Sequence, residues 1–254
     1  MRFASLGSGS EGNGLVVESG GTCVLIDCGF GVRDTAVRLA RLGLAASSLA
    51  AILVTHEHSD HVGGVPAFAA RHGIPVWATF GTLAVVSERF EGMTHVYGFD
   101  SHDRFAIDAL EIMPFAVPHD AREPVQYVIG DGMRRLGVLT DLGVSTIHVE
   151  ASLSGCDALV LECNHDVSML ANGDYPYPLK QRIAGRLGHL SNEAAADILE
   201  QIDTSRLTHI IAAHLSQQNN TPDLARWALA RALGCRPDWI GIADQAEGFG
   251  WREI

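Results

Sequence analysis

The first half of the chain alternates short apolar runs with glycine turns and then with segments of helical spacing. Apolar runs of four to seven residues bounded by turn residues indicate strands, whereas apolar residues three and four apart indicate helices. These patterns predict strands over 3–6, 15–18, 22–26, 51–54 and 75–78, and a strand pair within 105–117. They predict helices over 34–42, 64–71 and 82–90.

The second half of the chain repeats this rhythm. It is predicted to contain a hairpin of strands 125–130 and 135–140 turning at Asp131-Gly132, strands 158–162 and 209–213, and helices 178–187, 192–202 and 222–233. Because strands of both halves alternate with helices, we predict an α+β fold, a four-layer αββα sandwich. No repeat or linker-like tract interrupts the chain, so residues 1–254 are expected to form a single domain.

The composition indicates a cytoplasmic protein that does not enter a membrane. No apolar run approaches the roughly 20 residues that a membrane span needs, and the first ten residues lack the apolar core of a secretory signal. The five cysteines are scattered without a CxxC pair, which favours reduced thiols in a reducing compartment.

The formal net charge of −12 disfavours a broad positive surface of the kind that grips duplex DNA. Bound cations or a local basic patch can offset that charge where it matters. Lys180, Arg182 and Arg186 are either such a patch or the solvated face of an amphipathic helix.

The most informative motif follows the predicted strand 51–54, where His56, His58, Asp60 and His61 are crowded into six positions. Neutral imidazole and carboxylate are ligands that zinc and similar divalent metals prefer. Two histidines two residues apart share a face of an extended segment, whereas Asp60 and His61 lie beyond the bend. This spacing favours two metal ions over one.

Further ligand types stand directly after other apolar runs, at Asp27, His119, Asp141 and His214. Each of them alone is more often a turn or capping residue than a ligand. Together with the histidine-rich motif they form a set that indicates a metal site.

This set resembles the five ordered motifs of the metallo-β-lactamase superfamily. The resemblance implies an αββα sandwich with a dinuclear site at one edge, between the two sheets. It implies the following ligands: His56, His58 and His119 for the first metal, Asp60, His61 and His214 for the second, and Asp141 bridging both. Asp27 would orient the ligands.

Such a site implies two divalent metal ions, with zinc first and manganese or iron also suitable, and no organic cofactor. A hydroxide generated between the two ions would hydrolyse an ester, an amide or a phosphodiester. True β-lactamases mostly carry cysteine in place of Asp141, and glyoxalase-II-type thioesterases usually have Gly-His-Thr where this chain has Pro118-His119-Asp120. The β-CASP branch needs a longer interval between Asp141 and His214. The compact phosphodiesterase branch remains.

The segment "GHLSNEAAADIL", residues 188–199, resembles the histidine-bearing element of ribonuclease-Z-like enzymes. His189 would then protonate the leaving oxygen, and Asp60 is the second expected catalytic residue. Ser191 is predicted to cap a helix, and a helix N-terminus disfavours imidazolium, so His189 would need a carboxylate partner.

Residues 7–13, 161–182 and 214–222 resemble the YycJ/WalJ-like branch, whose members are similar to 5′-directed DNA exonucleases. The expected partner is therefore DNA or another phosphodiester substrate. The expected substrate contacts are Ser10, Asn13, Asn164, His165 and Asn219.

Two other functions stay open. One is hydrolysis of a small phosphodiester, such as a cyclic nucleotide or a sugar phosphate, which suits the acidic surface. The other is a non-catalytic metal-binding module. The remaining histidines have no partners in sequence and are expected to be structural or at the surface: His72, His95, His102, His148 and His209.

Overall fold

A computed structural model describes residues 1–254 as two seven-stranded mixed sheets packed face to face, with helices on both outer faces. The predicted αββα sandwich is thereby confirmed. None of the helices has the length and apolar character that a bilayer crossing requires.

The first sheet has the strand order β14-β1-β2-β3-β4-β5-β6. Its strands are β1 (Arg2–Gly7), β2 (Gly14–Ser19), β3 (Thr22–Ile26), β4 (Ala51–Leu53), β5 (Val76–Thr79), β6 (Val96–Phe99) and β14 (Phe249–Glu253). Neighbours from β14 to β3 are antiparallel, and those from β3 to β6 are parallel. Strands β3 and β4 are buried along their length, which explains their continuous apolar sequence.

The second sheet has the order β13-β12-β11-β10-β9-β8-β7. Its strands are β7 (Phe105–Ile107), β8 (Leu110–Ala116), β9 (Val125–Gly130), β10 (Arg135–Leu139), β11 (Ala158–Glu162), β12 (His209–Ala213) and β13 (Gly241–Ile242). Strands β7 to β10 are antiparallel and β10 to β13 are parallel. The predicted hairpin of β9 and β10 is present.

Helices cover each sheet on its outer side. They are α1 (Val32–Arg41), α2 (Ser59–Val62), α3 (Val65–His72), α4 (Phe80–Val86), α5 (Ile147–Leu153), α6 (Val167–Asn172), α7 (Tyr177–Ile183), α8 (Asn192–Gln201) and α9 (Pro222–Leu233). Leu39 of α1 and Phe68 of α3 are fully buried against the first sheet, and Ile198 of α8 and Leu229 of α9 are buried against the second. Burial of each such side chain stabilises the fold by about 1.5–3 kcal/mol.

A third core lies between the two sheets and contains side chains from both, including Phe3, Leu53, Tyr127 and Val160. The hydroxyl of Tyr127 on β9 donates a hydrogen bond of 2.6 Å to the carbonyl of Val54, directly after β4. This bond ties the sheets together beside the end of β4.

The structure differs from the prediction at the short and non-local elements. Strands β6, β13 and β14 and helices α5 and α6 were not expected, because they are short or pair with distant parts of the chain. The predicted helix 178–187 ends at Ile183, because the chain turns sharply at Gly188, where a side chain would meet the carbonyls of Arg182 and Ile183. The predicted helix 82–90 becomes α4 followed by a 3₁₀ turn over Ser87–Phe90.

Candidate metal centre

The carboxyl ends of strands from both sheets meet at one rim of the sandwich. Strands β3 and β4 of the first sheet lead into Asp27 and His56, and β10 and β12 of the second sheet lead into Asp141 and His214. Parallel strands place the residues that follow them at the same edge, which is where α/β folds bind ligands. The rim therefore gathers residues that lie far apart in sequence.

The seven predicted ligands come together in three overlapping groups. In each group the ligand atoms lie within 4.8 Å of one another: His56, His58 and His119; Asp60, His61 and His214; and His56, His61 and Asp141. The shared residues make the groups one continuous cluster, which is the arrangement a two-metal site requires.

Each buried imidazole of the cluster uses Nδ1 to bind a neighbouring group of the protein outside the ligand set. Nδ1 of His61 donates to Asp27, Nδ1 of His119 donates to the carbonyl of Gly188, and Nδ1 of His214 donates to Glu162, at 2.7, 3.0 and 3.2 Å. Nδ1 of His56 donates to the Thr55 hydroxyl at 2.9 Å. Fixing one nitrogen sets the tautomer and aims the other nitrogen at the cluster.

Asp27 fixes the positions of Thr55 and His61 by hydrogen bonds. Its carboxylate accepts hydrogen bonds of 2.8 Å from the backbone amide and the hydroxyl of Thr55, in addition to the bond from His61. Asp27 and His214 have φ angles of +59° and +54°, in the left-handed region that non-glycine residues rarely adopt. Such backbone strain tends to persist where a site requires a particular side-chain direction.

Asp141 contacts both halves of the cluster. Its Oδ2 lies 3.0 Å from Nε2 of His61, and its Oδ1 lies 3.8 Å from Nε2 of His119 and 3.6 Å from Nδ1 of His214. The side chain is only 2% exposed. The resemblance implies a bridging role for Asp141, and this role stays a prediction.

Several buried polar atoms of the cluster have no hydrogen-bond partner, and this bears on whether the residues fit metal ions. Three buried side-chain atoms that lack any hydrogen-bond partner belong to it: Nε2 of His56, Oδ2 of Asp141 and Nε2 of His214. A buried polar atom without a partner costs about 1–3 kcal/mol, so native structures rarely keep several together without a ligand. The imidazole and carboxylate donors therefore fit divalent metal ions.

The electrostatics of the cluster also favour cations. Burial alone would lower the pKa of His214, but Asp141, Asp60 and Glu162 raise it to about 10. Burial alone would raise the pKa of Asp141, but the neighbouring His214 and His61 hold it well below its usual range. The carboxylates thus draw positive charge into the rim, and a divalent ion would replace the protons on these imidazoles.

Glu162, the last residue of β11, was not predicted as a site residue, yet it lies at the centre of this network. It is fully buried, and its Oε1 lies 2.7 Å from Nδ1 of His189 and 3.2 Å from Nδ1 of His214. Its Oε2 accepts hydrogen bonds from the backbone amides of Leu142 and Leu190 at 2.8 and 3.1 Å. The available signal was an acid at the end of the apolar run "ALVLE", since buried acids are rare without partners.

His189 lies at the mouth of the cluster, with 23% of its side chain exposed. Burial would lower the pKa of His189, but the adjacent Glu162 and Asp141 raise it. Ser191 caps α8 as predicted, since its hydroxyl accepts a hydrogen bond from the amide of Ala194 at 3.1 Å. Glu162 is the carboxylate partner that His189 needs beside a helix N-terminus.

The cluster opens into a cavity of about 370 Å³. The residues that line it include His58, Asp60, Asp141, His189 and His214, together with several from the segment between α6 and α8. A larger surface groove of about 620 Å³ lies beside the start of β12, between Leu207 and Trp239. None of the residues of the ligand cluster lines that groove. The smaller cavity is therefore the candidate active site.

The expected substrate contacts divide into two groups. Ser10 and Asn164 line the cavity, whereas Asn13, His165 and Asn219 are buried and do not line it. The amide nitrogen of Asn13 instead contacts the carbonyl of Asp60 at 3.3 Å and Nε2 of His61 at 3.1 Å. The contact of these three buried residues with a substrate stays a prediction.

The chain is similar to a known protein family and to two named relatives over most of its length. The model of the Beta-lactamase superfamily domain matches residues 22–210 of this chain. The chain is 35% identical over 252 residues to exodeoxyribonuclease YycJ of Bacillus anthracis, with 96% of this chain and 93% of the relative covered. It is 32% identical over 248 residues to exodeoxyribonuclease WalJ of Streptococcus pneumoniae, with 95% and 91% covered.

Among solved structures, the metallo-beta-lactamase fold protein YhfI from Bacillus subtilis superposes with a TM-score of 0.76 at 16% identity. The superposition covers 99% of each chain. At this identity the likeness concerns the fold alone.

Proposed function

The chain belongs to the beta-lactamase superfamily, and from that premise we propose that it is a dinuclear metal-dependent phosphodiesterase that degrades DNA from the 5′ end. One observation carries the catalytic part of the proposal. Unpaired buried atoms of His56, Asp141 and His214 converge on one rim, with Asp141 in contact with both halves of the cluster. The two exodeoxyribonuclease relatives support DNA as the substrate.

The ligand set provides for two ions. We assign His56, His58 and His119 to one ion, Asp60, His61 and His214 to the other, and Asp141 to both. When bound, the ions would supply Lewis-acid activation of water and charge neutralisation at the phosphate. Zinc suits this mixture of imidazole and carboxylate donors best, and manganese or iron also fits.

The protein's own groups position the protons. Glu162 accepts from Nδ1 of His189 and raises the pKa of this imidazole, so that His189 can carry a second proton on Nε2. Because His189 lines the cavity, that proton is available to the leaving oxygen of the phosphodiester. Asp60 is expected to assist from the opposite side of the cluster.

Two further parts of the proposal concern the whole molecule. The core that the two sheets share supports one hydrolase domain over residues 1–254. All five cysteines are unpaired, which supports a reducing compartment, the cytoplasm, as the site of action.

A second candidate substrate is a small phosphodiester, such as a cyclic nucleotide or a sugar phosphate. The cavity of about 370 Å³ favours it, since this volume lies in the range of small-molecule sites. The acidic overall charge of −12 also suits a small substrate better than a long polyanion.

The deciding experiment compares initial rates of the metal-loaded protein on 5′-phosphorylated DNA and on a chromogenic phosphodiester. We expect a 5′-labelled strand to release its label as a mononucleotide from the first turnovers, and EDTA to abolish the release. A strong preference for the chromogenic compound would favour the small-substrate alternative. An undiminished rate of DNA cleavage in EDTA would contradict the proposed function itself.

A further inference from the structure

The segment between Asp174 and Glu193 reverses the charge of the molecule locally. Residues 175–188, here called the cap segment, read "YPYPLKQRIAGRLG" and contain no acidic residue. They carry Lys180, Arg182 and Arg186, although the whole chain has a formal charge of −12. Lys180 is the single lysine of the chain.

The cap segment forms one wall of the candidate active site. Its residues that line the cavity are Tyr175, Leu179, Arg182, Ile183 and Gly188. Its helix α7 contains no buried residue, so the segment contributes almost nothing to the apolar core. A helix that packs so little adds little to the stability of the core.

The segment is fixed to the metal centre at its C-terminal end. The carbonyl of Gly188 accepts the hydrogen bond from Nδ1 of His119, and the carbonyl of Leu187 accepts one from the amide of Asp120, both at 3.0 Å. Gly188 has no room for a side chain, because Cβ would meet the carbonyls of Arg182 and Ile183. The position of the cap segment and that of His119 are therefore coupled.

Arg182 is the one lysine or arginine side chain that lines the cavity. Its Nε donates to Oδ2 of Asp120 at 2.7 Å, and 62% of its side chain remains exposed at the cavity. Oδ1 of the same carboxylate lies 3.7 Å from Nε2 of His58 and 3.5 Å from Nε2 of His119. Asp120 thus holds the guanidinium beside His58 and His119. The other N–H groups of the guanidinium remain available to a second partner.

The other two cations of the segment differ from the eight arginines of this protein that pair with a carboxylate. Arg2, Arg38, Arg41 and Arg226 each form an ion pair with a carboxylate. Lys180 donates to the carbonyl of Ala171 at 2.8 Å, and neither it nor Arg186 pairs with an acid. Unneutralised cations beside a cavity are suited to an anionic ligand.

Aromatic rings accompany these cations. Tyr175 lines the cavity. Tyr177, the first residue of α7, is 71% exposed. Surfaces that bind single-stranded nucleic acid combine a basic track for the backbone with aromatic rings on which bases stack. The cap segment has both features within fourteen residues.

We propose that the cap segment is the surface that binds the DNA strand, with Arg182 on the phosphate next to the scissile one and Tyr175 under an adjacent base. This inference rests on the proposed function, since it names how that same site holds its substrate. The phosphates of the strand supply the negative charge that the segment lacks.

The main test measures binding of metal-loaded protein to a 5′-phosphorylated single-stranded oligonucleotide with phosphorothioate linkages, which resist cleavage. The test variant carries Lys180→Gln, Arg182→Gln and Arg186→Gln. The matched control carries Arg71→Gln, Arg89→Gln and Arg104→Gln, which changes the net charge equally at exposed positions outside the cavity. Anisotropy titrations at 50–200 mM salt give the affinity and its salt slope.

For a single strand, each phosphate contact contributes about 0.7 to the slope of log affinity against log salt, so losing three lowers the slope by about 2. Over this salt range the affinity of the wild type should then fall about 20-fold more than that of the test variant. The control should keep the wild-type slope. Equal slopes for all three proteins, or no binding by the wild type, would overturn the inference.

Arg182→Gln also removes the partner of Asp120, so a double variant with Lys180→Gln and Arg186→Gln is measured in parallel. It leaves the contact beside His58 and His119 intact and should show about two thirds of the slope change of the triple variant. A double variant identical to the wild type would restrict binding to the cluster itself and refute the wider surface.

The single lysine permits an independent measurement. An amine-reactive acetylating reagent should modify Lys180 more slowly when the phosphorothioate strand is bound, with the N-terminal amine as the internal reference in the mass spectrum. Unchanged acetylation of Lys180 at saturating DNA would contradict the inference. Cleavage of ordinary DNA by the wild type is followed separately, so that failure of the binding surface is distinguishable from failure of the proposed nuclease activity.

Discussion

Two polar clusters lie at opposite ends of strand β11. Asp157 directly precedes the strand and Glu162 ends it. Both carboxylates are fully buried, and both bind groups from several neighbouring segments. They differ in whether every buried polar atom of the cluster has a hydrogen-bond partner within the protein.

At the Asp157 end every acceptor has a donor. Its carboxylate accepts from Arg134 at 2.9 Å, from Arg206 at 3.0 Å and from the backbone amide of Arg135 at 2.9 Å. Burial would raise the pKa of Asp157, but these hydrogen bonds lower it. The cluster closes the start of β11 and has no capacity left for a ligand.

At the Glu162 end the neighbouring ligand cluster is incomplete, because buried atoms of His56, Asp141 and His214 have no partner. Burial and charge alone therefore do not identify a ligand-binding site. A buried polar cluster that satisfies itself stabilises the fold, whereas one with several unmet atoms is suited to bind a ligand.

The largest expected effect comes from removing the residue that contacts both halves of the ligand cluster. Asp141→Ala should abolish hydrolysis of DNA and reduce the number of bound metal ions, because both ions lose a ligand. Far-UV circular dichroism should be unchanged. A variant that retains wild-type turnover would show that Asp141 is not a ligand and would remove the contrast between the two ends.

The converse change at the other end of β11 should affect stability and not metal binding. Asp157→Ala leaves the amide of Arg135 and two arginines without their acceptor, and should lower the free energy of unfolding by about 2–3 kcal/mol. Denaturant titration measures the loss. A large fall in metal content of the still-folded variant would contradict a purely structural role for Asp157.

Glu162→Gln sharpens the comparison at the functional end. The neutral amide no longer raises the pKa of His189 and no longer fixes His214, so activity or metal affinity should fall about 10–100-fold. The alkaline limb of the pH–rate profile should move to lower pH, because His189 loses its proton more readily. An unchanged profile with unchanged rate would exclude His189 as the acid.

The smallest expected effect concerns Asp131, in the hairpin turn that also carries Arg134. Burial would raise its pKa, but the amides of Arg134 and Met133 and the Ser19 hydroxyl lower it to about 2. A lowered pKa in the folded state stabilises the protein above the ordinary value near 4, and this contribution disappears as the pH falls towards 2.

With solvent screening at this surface turn, the contribution of Asp131 is about 1 kcal/mol. The wild type should therefore exceed Asp131→Asn in stability at pH 6, and the difference should vanish near pH 2. A difference that is independent of pH would mean that the charge of Asp131 does not matter, and metal binding should be unaffected in either case.

The fold and the convergence of the candidate ligands could be predicted from the sequence, because both depend on local patterns. An apolar strand followed by a ligand type places that residue at a strand end, and parallel strand ends meet at one edge. His56, Asp141 and His214 were found in this way. The burial of Asn13, His165 and Asn219 could not be predicted in this way, because the pattern gives the position of a loop but not the direction of its side chains.

Glu162 and the cap segment were harder to predict for different reasons. Glu162 is the last residue of its strand, so the apolar run conceals it, and its partners His189 and His214 are distant in sequence. The helix of the cap segment ends early because Gly188 must approach the carbonyl of Ile183, a tertiary constraint that helical spacing does not reveal.

The most direct test of the account is the number of divalent metal ions per chain, measured by elemental analysis after metal-free protein is saturated with zinc and desalted. The ligand cluster beside the end of β11 predicts two ions per wild-type chain and two per Asp157→Ala chain. One ion or none in the folded wild type would contradict the dinuclear site on which the proposed hydrolysis depends.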